Sequence, residues 1–209
     1  MQVDIQSIDL QYPNGRLIRI AARVLQEKGV IVYPTDTIYG LGADILEKNA
    51  LDRILRIKKV SRHKLMSFIF ADMKGIADWA YIPDYAFRIM RRATPGPYTF
   101  ILKASKLVPK MLLQNRPTIG VRIPDAPIPR GIVEQLGRPL LNTSVPLGDD
   151  GFYSDPLEIA RKYPHEIDLI LDAGMIANVP STVVDCSGHR PEIIRAGAGD
   201  VSMILGDSR

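Results

Sequence analysis

Apolar residues recur at helical spacing through Leu17, Ile20, Ala21, Val24 and Leu25, which predicts a helix from Arg16 to Lys28 stopped by Gly29. Val30 to Tyr33 follows as a continuous apolar run rich in β-branched residues and closed by Pro34, the pattern of a buried strand. Helical spacing returns over Ala50 to Lys58, and Met66 to Phe70 reads as a strand. Asp84 to Arg92 is a helix broken by Pro95-Gly96-Pro97. Tyr98 to Lys103 and Thr118 to Ile123 are strands joined by a short helical piece near Met111. Ile128 to Leu136 is a helix ended by Gly137, and Leu140 to Thr143 is again a strand. Pro156 to Lys162 makes a short helix, and Leu169 to Leu171, Thr182 to Asp185 and Glu192 to Arg195 are the last strands.

Helix and strand alternate along most of the chain, which predicts an α/β sheet with flanking helices. The neighbouring strands near the C-terminal end make that sheet mixed rather than purely parallel. No fixed-period repeat interrupts the pattern, and the best linker candidate, Gly148 to Tyr153, is too short to divide the chain. One domain spanning residues 1–209 is expected.

With 46% apolar and 24% charged residues, the chain has the balance of a water-soluble globule. Its single cysteine, Cys186, rules out an internal disulfide and fits a reducing compartment. The N-terminal stretch lacks the basic start and apolar core of a secretion signal, and no apolar run is long enough to cross a bilayer. A cytoplasmic location is therefore expected. The net charge of +4 permits phosphate-bearing partners.

Six segments concentrate candidate chemistry. Tyr33-Pro34-Thr35-Asp36-Thr37-Ile38-Tyr39-Gly40-Leu41-Gly42 reads as a strand entering a loop with hydroxyls, a carboxylate and two glycines. It suits a small anionic ligand, or else a tight turn in which Thr35 and Asp36 bond their own backbone. The basic run Arg53, Arg56, Lys58, Lys59, Arg62 and Lys64 has no acid between Arg53 and Phe70, so phosphates are one natural complement. A solvated helix end is the other. Pro-Gly-Pro fixes the approach of Thr99 to its strand. Arg122 lies inside the apolar run Gly120 to Ile123 and needs a partner: Asp125, Asp185 or a ligand anion. Leu140-Leu141-Asn142-Thr143-Ser144 sets polar residues at a strand end, where ligands are commonly read. Ser181 precedes a strand, and Arg195 precedes a loop whose Gly197 and Gly199 suit phosphate oxygens or simply permit positive φ. His63, His165 and His189 are scattered and do not form a zinc site. Cys186 reads as a buried structural thiol.

In order along the chain, these segments resemble the YrdC/YciO family of threonylcarbamoyl-adenylate synthase-like proteins. The matching stretches are Tyr-Pro-Thr-Asp-Thr-Ile-Tyr-Gly-Leu-Gly, the helix end Ile57-Lys58-Lys59, Pro-Gly-Pro-Tyr-Thr-Phe, Val-Arg-Ile-Pro, Asn-Thr-Ser, Pro-Ser-Thr-Val-Val-Asp and Ile-Arg-Ala-Gly. They span roughly Leu17 to Asp200.

The resemblance implies a twisted mixed sheet around a large basic concave cavity that binds nucleotide and RNA, including transfer RNA or double-stranded RNA. Synthase members join ATP, threonine and bicarbonate into threonylcarbamoyl-AMP. Carried onto this chain, Thr35, Thr99, Arg122 and Ser181 would contact the amino-acid-like substrate. Lys58, Arg62, Ser144 and Arg195 would handle nucleotide phosphate, with Lys58 and Ser144 at the catalytic step. Magnesium would arrive only with ATP, and no resident metal is expected. The synthase pattern Lys-x-Arg becomes Lys58-Lys59-Val60 here, and Ser-x-Asn becomes Ser144-Val145-Pro146, as in the YciO branch. Each lost donor would cost about 3 kcal/mol, on the order of a hundredfold in rate. A non-catalytic double-stranded RNA-binding protein is the alternative.

Overall fold

The computed structural model describes residues 3–58, 66–113, 116–147 and 151–206. The first half of the chain forms β1 (Asp4–Ser7), α1 (Gly15–Gln26), β2 (Val30–Tyr33), β3 (Gly40–Asp44), α2 (Lys48–Lys58), β4 (Ser67–Ile69), β5 (Ala80–Tyr81), α3 (Asp84–Ala93) and β6 (Tyr98–Ala104). The second half forms α4 (Lys110–Leu113), β7 (Thr118–Arg122), α5 (Pro127–Leu136), β8 (Leu140–Ser144), β9 (Pro146–Leu147) and β10 (Gly151–Phe152). It ends with α6 (Pro156–Lys162), β11 (Leu169–Asp172), β12 (Thr182–Asp185), β13 (Glu192–Arg195) and α7 (Ser202–Leu205).

Local chemistry sets several boundaries. The Asn14 side chain accepts from the Arg16 N–H and caps α1, and Asp155 does the same for α6, whose first residue is Pro156. Gly137 ends α5 at φ 72°. At the end of α1 the left-handed residue is Lys28, at φ 69°, and not Gly29. Gly29 is required for a different reason: a Cβ there would stand 2.6 Å from the Val24 carbonyl oxygen.

A mixed sheet of eleven strands organises the chain in the order β1-β11-β2-β3-β8-β4-β7-β6-β12-β13, with β5 added to β6. β9 and β10 form a separate hairpin. The cross-strand register runs Val30, Ala43, Leu141, Phe68, Val121, Phe100 and Val184, so these side chains share one face. That face is buried under α2, α3 and α6. The opposite face is covered over β11, β2 and parts of β8 and β4, where Ile31, Tyr33, Leu140 and Leu169 pack against Ile18 and Leu25 of α1 and Ile132 of α5.

Over β7, β6 and β12 no helical residue joins that second core. Alternation makes the consequence visible. Ser67, Thr99 and Val183 are half-exposed, whereas their neighbours Phe68, Phe100 and Val184 are buried. The α1–α5 layer therefore leaves uncovered a stretch of the sheet that carries Ser67, Thr99 and Val183. No described helix is long and apolar enough to cross a membrane.

Several elements differ from the sequence expectation. Gly40–Asp44, read as part of a ligand loop, is the buried strand β3. β1 and β5 carry too few apolar residues to announce themselves, and α7 is a single turn.

Candidate anion-binding site

The uncovered stretch is built by the ends of four segments. Thr99 on β6 and Ser181 just ahead of β12 share a hydrogen bond between hydroxyls at 2.9 Å. Arg195, at the end of β13, donates to the Ser181 carbonyl oxygen at 2.8 Å through Nη2. The loop after β13 is locked onto the same point. The Gly197 N–H donates to Thr182 Oγ1, and the Ala198 N–H donates to the Pro180 carbonyl. Neither Gly197 nor Gly199 adopts positive φ. A Cβ on Gly197 would sit 2.2 Å from the Pro180 oxygen, and one on Gly199 would sit 2.4 Å from the Tyr98 ring. Close approach, not turn geometry, explains both glycines.

Arg122 enters from β7. Its partner is neither Asp125 nor Asp185 but Asp36 in the β2–β3 loop. The two side chains are 5% and 11% exposed, and Arg122 also donates to Thr37 Oγ1 at 2.8 Å. The second Asp36 oxygen accepts the Asp125 N–H. Among the described residues one donor is left over: Arg122 Nε is buried with no acceptor. A buried guanidinium with an unmet N–H is a place where an anion gains most.

Thr35 immediately precedes Asp36. Its hydroxyl donates to the Ile38 carbonyl and accepts the Thr37 and Ile38 N–H groups, so it shapes the loop that carries Asp36 and Thr37. The loop glycines serve that packing as well. A Cβ on Gly42 would meet Tyr33 at 2.7 Å and one on Gly40 at 2.9 Å, because the Tyr33 ring lies across both. Tyr33 Oη then donates to Asn142 Oδ1 at 2.6 Å, and Asn142 donates to Ser67 Oγ at 3.0 Å. Burial pushes the Tyr33 phenol well above its ordinary pKa, with the Arg122 charge opposing. Desolvation and, secondarily, the positive charge of Arg122 lower that of Arg195.

Lys58 arrives differently. It ends α2 and its Nζ donates to Thr143 Oγ1. Thr143 pairs with Leu41, whose side chain belongs to the α2 side of the sheet. Lys58 therefore meets β8 from the α2 side of the sheet, beside Ser144, which is half-buried opposite Gly40. Arg53 is not left for phosphates, since it pairs with Asp168 at 2.9 Å and donates to the Glu166 carbonyl. The absence of local acids in that run was a poor guide because the partner is more than a hundred residues away. Lys59, Arg62 and Lys64 lie outside the described residues.

The structure thus bonds Thr99, Ser181 and Arg195 into one group with Arg122 on the strand next to Thr99, ties Thr35 into the loop that carries Asp36, and brings Lys58 to Thr143 beside Ser144. Asp36, Ser67 and Asn142 were not singled out as site residues. A polar Ser67 within an otherwise apolar strand was the one available signal. Among the described residues no group of three or more His, Cys, Asp or Glu side chains could hold a metal.

Fold and site together define an α/β protein whose mixed sheet carries a candidate anion-binding hollow on one face, at Arg122, Thr99, Ser181 and Arg195. The chain belongs to the family described as Telomere recombination, which unites Sua5, YciO and YrdC and matches residues 23–197. It is 42% identical over 195 residues to Escherichia coli YciO, an uncharacterized protein, covering 92% of this chain and 95% of that one. It is 29% identical to the threonylcarbamoyl-AMP synthase of Pyrococcus abyssi, covering 92% of this chain and 58% of the synthase. The crystal structure of E. coli YciO superposes with a TM-score of 0.92 at 39% identity, over 97% of this chain and all of that one. The P. abyssi Sua5 crystal structure with L-threonine gives 0.85 at 30% identity, over 92% and 57%.

Proposed function

We propose that this chain binds ATP and threonine in the hollow, in the cytoplasm, and carries out adenylate chemistry linked to tRNA modification. In that reaction the threonine amine adds to bicarbonate with loss of water. A carbamate oxygen then attacks the α-phosphorus of ATP, and the bond to pyrophosphate breaks, leaving threonylcarbamoyl-AMP.

The observation that carries this reading is the Arg122 guanidinium, buried and one acceptor short among the described residues, on the strand next to Thr99, whose hydroxyl pairs with Ser181. Such an arrangement is suited to a carboxylate or carbamate next to a phosphate. Thr35 acts by holding the Asp36–Thr37 loop. Lys58 and Ser144, with Arg62, are assigned to the phosphates, and magnesium enters with the nucleotide. The likeness to a Sua5 solved with L-threonine supports the amino acid as substrate.

Val60 and Pro146 replace two donors of the synthase pattern. They favour a second reading, in which the chain binds double-stranded RNA without catalysis. Incubation with ATP, threonine and bicarbonate, followed by assay of pyrophosphate and AMP, separates the two. The first reading expects slow release that Arg195→Ala abolishes. Equal release by both proteins removes it.

A further inference from the structure

A second cationic cavity, of about 530 Å³, lies away from the hollow between α3, α7 and the turn joining β12 to β13. Arg88, Arg91 and Arg92 line it from α3, and Arg190 lines it from the turn. All four are exposed. The ion pairs among the described residues are Arg53–Asp168, Arg122–Asp36 and Arg138–Asp44, so none of these four arginines is neutralised. Among the described residues no hydrogen bond holds their side chains either. No described Asp or Glu lines the cavity.

The cavity is built rather than incidental. Its floor is apolar, from Ile89 and Ile204, both buried. Tyr85 Oη, which also lines it, donates to the carbonyls of Cys186 and Gly188, each at 3.0 Å, and so fixes the turn carrying His189 and Arg190 against the helix. Arg88 and Arg92 are one turn apart, about 6 Å along the axis, and therefore share a helix face. Four planar forks around an open pocket, with no described acid among its lining, complement a row of phosphates.

We propose that this cavity is a docking site for the phosphodiester backbone of RNA, separate from the nucleotide hollow. The proposal rests on the RNA association of the reading above and adds where the backbone lies. It predicts sequence-tolerant binding, because guanidinium groups on phosphates carry no base information.

The test is a fluorescence-anisotropy titration of the full chain with a 20-base-pair RNA duplex over a salt series. Arg88→Gln/Arg92→Gln is compared with Arg19→Gln/Arg23→Gln, exposed α1 positions that change the net charge equally. The α3 pair is expected to raise Kd about tenfold or more at low salt and to flatten the log–log salt slope by roughly 1.5–2. The α1 pair should change the slope little. ATP and inorganic pyrophosphate are titrated in parallel, and their binding should be the same in both variants. Wild-type affinity in the α3 variant overturns the proposal while leaving RNA binding intact. Failure of the wild-type chain to bind the duplex overturns both. Loss of pyrophosphate or ATP binding in the α3 variant, with RNA binding preserved, assigns the cavity to small polyphosphates instead.

Discussion

The Arg122–Asp36 pair tests whether the hollow is held open by charge. Asp36→Asn keeps the shape and one acceptor for the Asp125 N–H, but removes the only described acid that meets Arg122. Both side chains are nearly buried, and Arg122 already lacks an acceptor at Nε. Its remaining side-chain partner would be the Thr37 hydroxyl. Breaking one side of a buried pair costs about 3–5 kcal/mol. For a chain of this length that lowers Tm by roughly 6–20 °C, at about 2–4 °C per kcal/mol. Urea denaturation of wild type, Asp36→Asn, Arg122→Met and the double variant measures the coupling directly. The double variant should lose less than the sum of the singles, because removing both charges leaves neither stranded. Additive losses, or a loss below about 1 kcal/mol for Asp36→Asn, would refute the view that Asp36 neutralises Arg122.

Two further outcomes follow from packing and titration. Gly42→Ala places a methyl 2.7 Å from the buried Tyr33 ring, so it should destabilise the fold by about 1–3 kcal/mol. Chemical denaturation checks this, and a change under about 0.5 kcal/mol would mean that Tyr33 can move aside. Burial pushes the Cys186 thiol up to about 12 from 9.0, and the neighbouring Asp185 charge adds to the shift. The folded state thus favours the neutral thiol. Its contribution is complete below the unfolded pKa and is lost as pH rises from about 9 toward about 12, at up to about 1.4 kcal/mol per pH unit. Stability measured over that window should fall less steeply in Cys186→Ala, and native Cys186 should resist thiol reagents at pH 8 until the chain is denatured.

Much of the fold was legible because most of its elements obey a single period. β2, α6, β12 and β13 fall where their apolar pattern places them, and α5 stops at the glycine expected to stop it. β3 was hidden because glycine carries no hydrophobic signal. Gly40 and Gly42 sit in a fully buried strand since Tyr33 fills the space their side chains would occupy. The site was legible as a set of residue types but not as a set of partners. Arg122 plainly needed an acid, yet the nearby Asp125 offers its backbone N–H to Asp36, which in turn receives the guanidinium. Sequence distance misled in the same way at Arg53, paired with Asp168.

The arrangement also separates what the two synthase-pattern replacements can affect. Val60 and Pro146 follow Lys58 and Ser144 along the chain, the two residues assigned to the phosphates at the rim of the candidate site, and Val60 itself lies outside the described residues. The floor made by Arg122, Thr99, Ser181 and Arg195 is tied to different strands and keeps its own bonds. Altering rim donors that would stabilise a leaving pyrophosphate lowers the rate of the chemical step. It leaves the unmet Arg122 donor and the Arg195 charge in place for ground-state binding. The expected signature is therefore threonine and nucleotide affinity retained alongside a low kcat. Restoring the rim by Val60→Arg/Pro146→Asn should raise kcat far more than it lowers KM. If that variant instead tightened binding without speeding turnover, the division between floor and rim would be wrong, and the rim would belong to recognition.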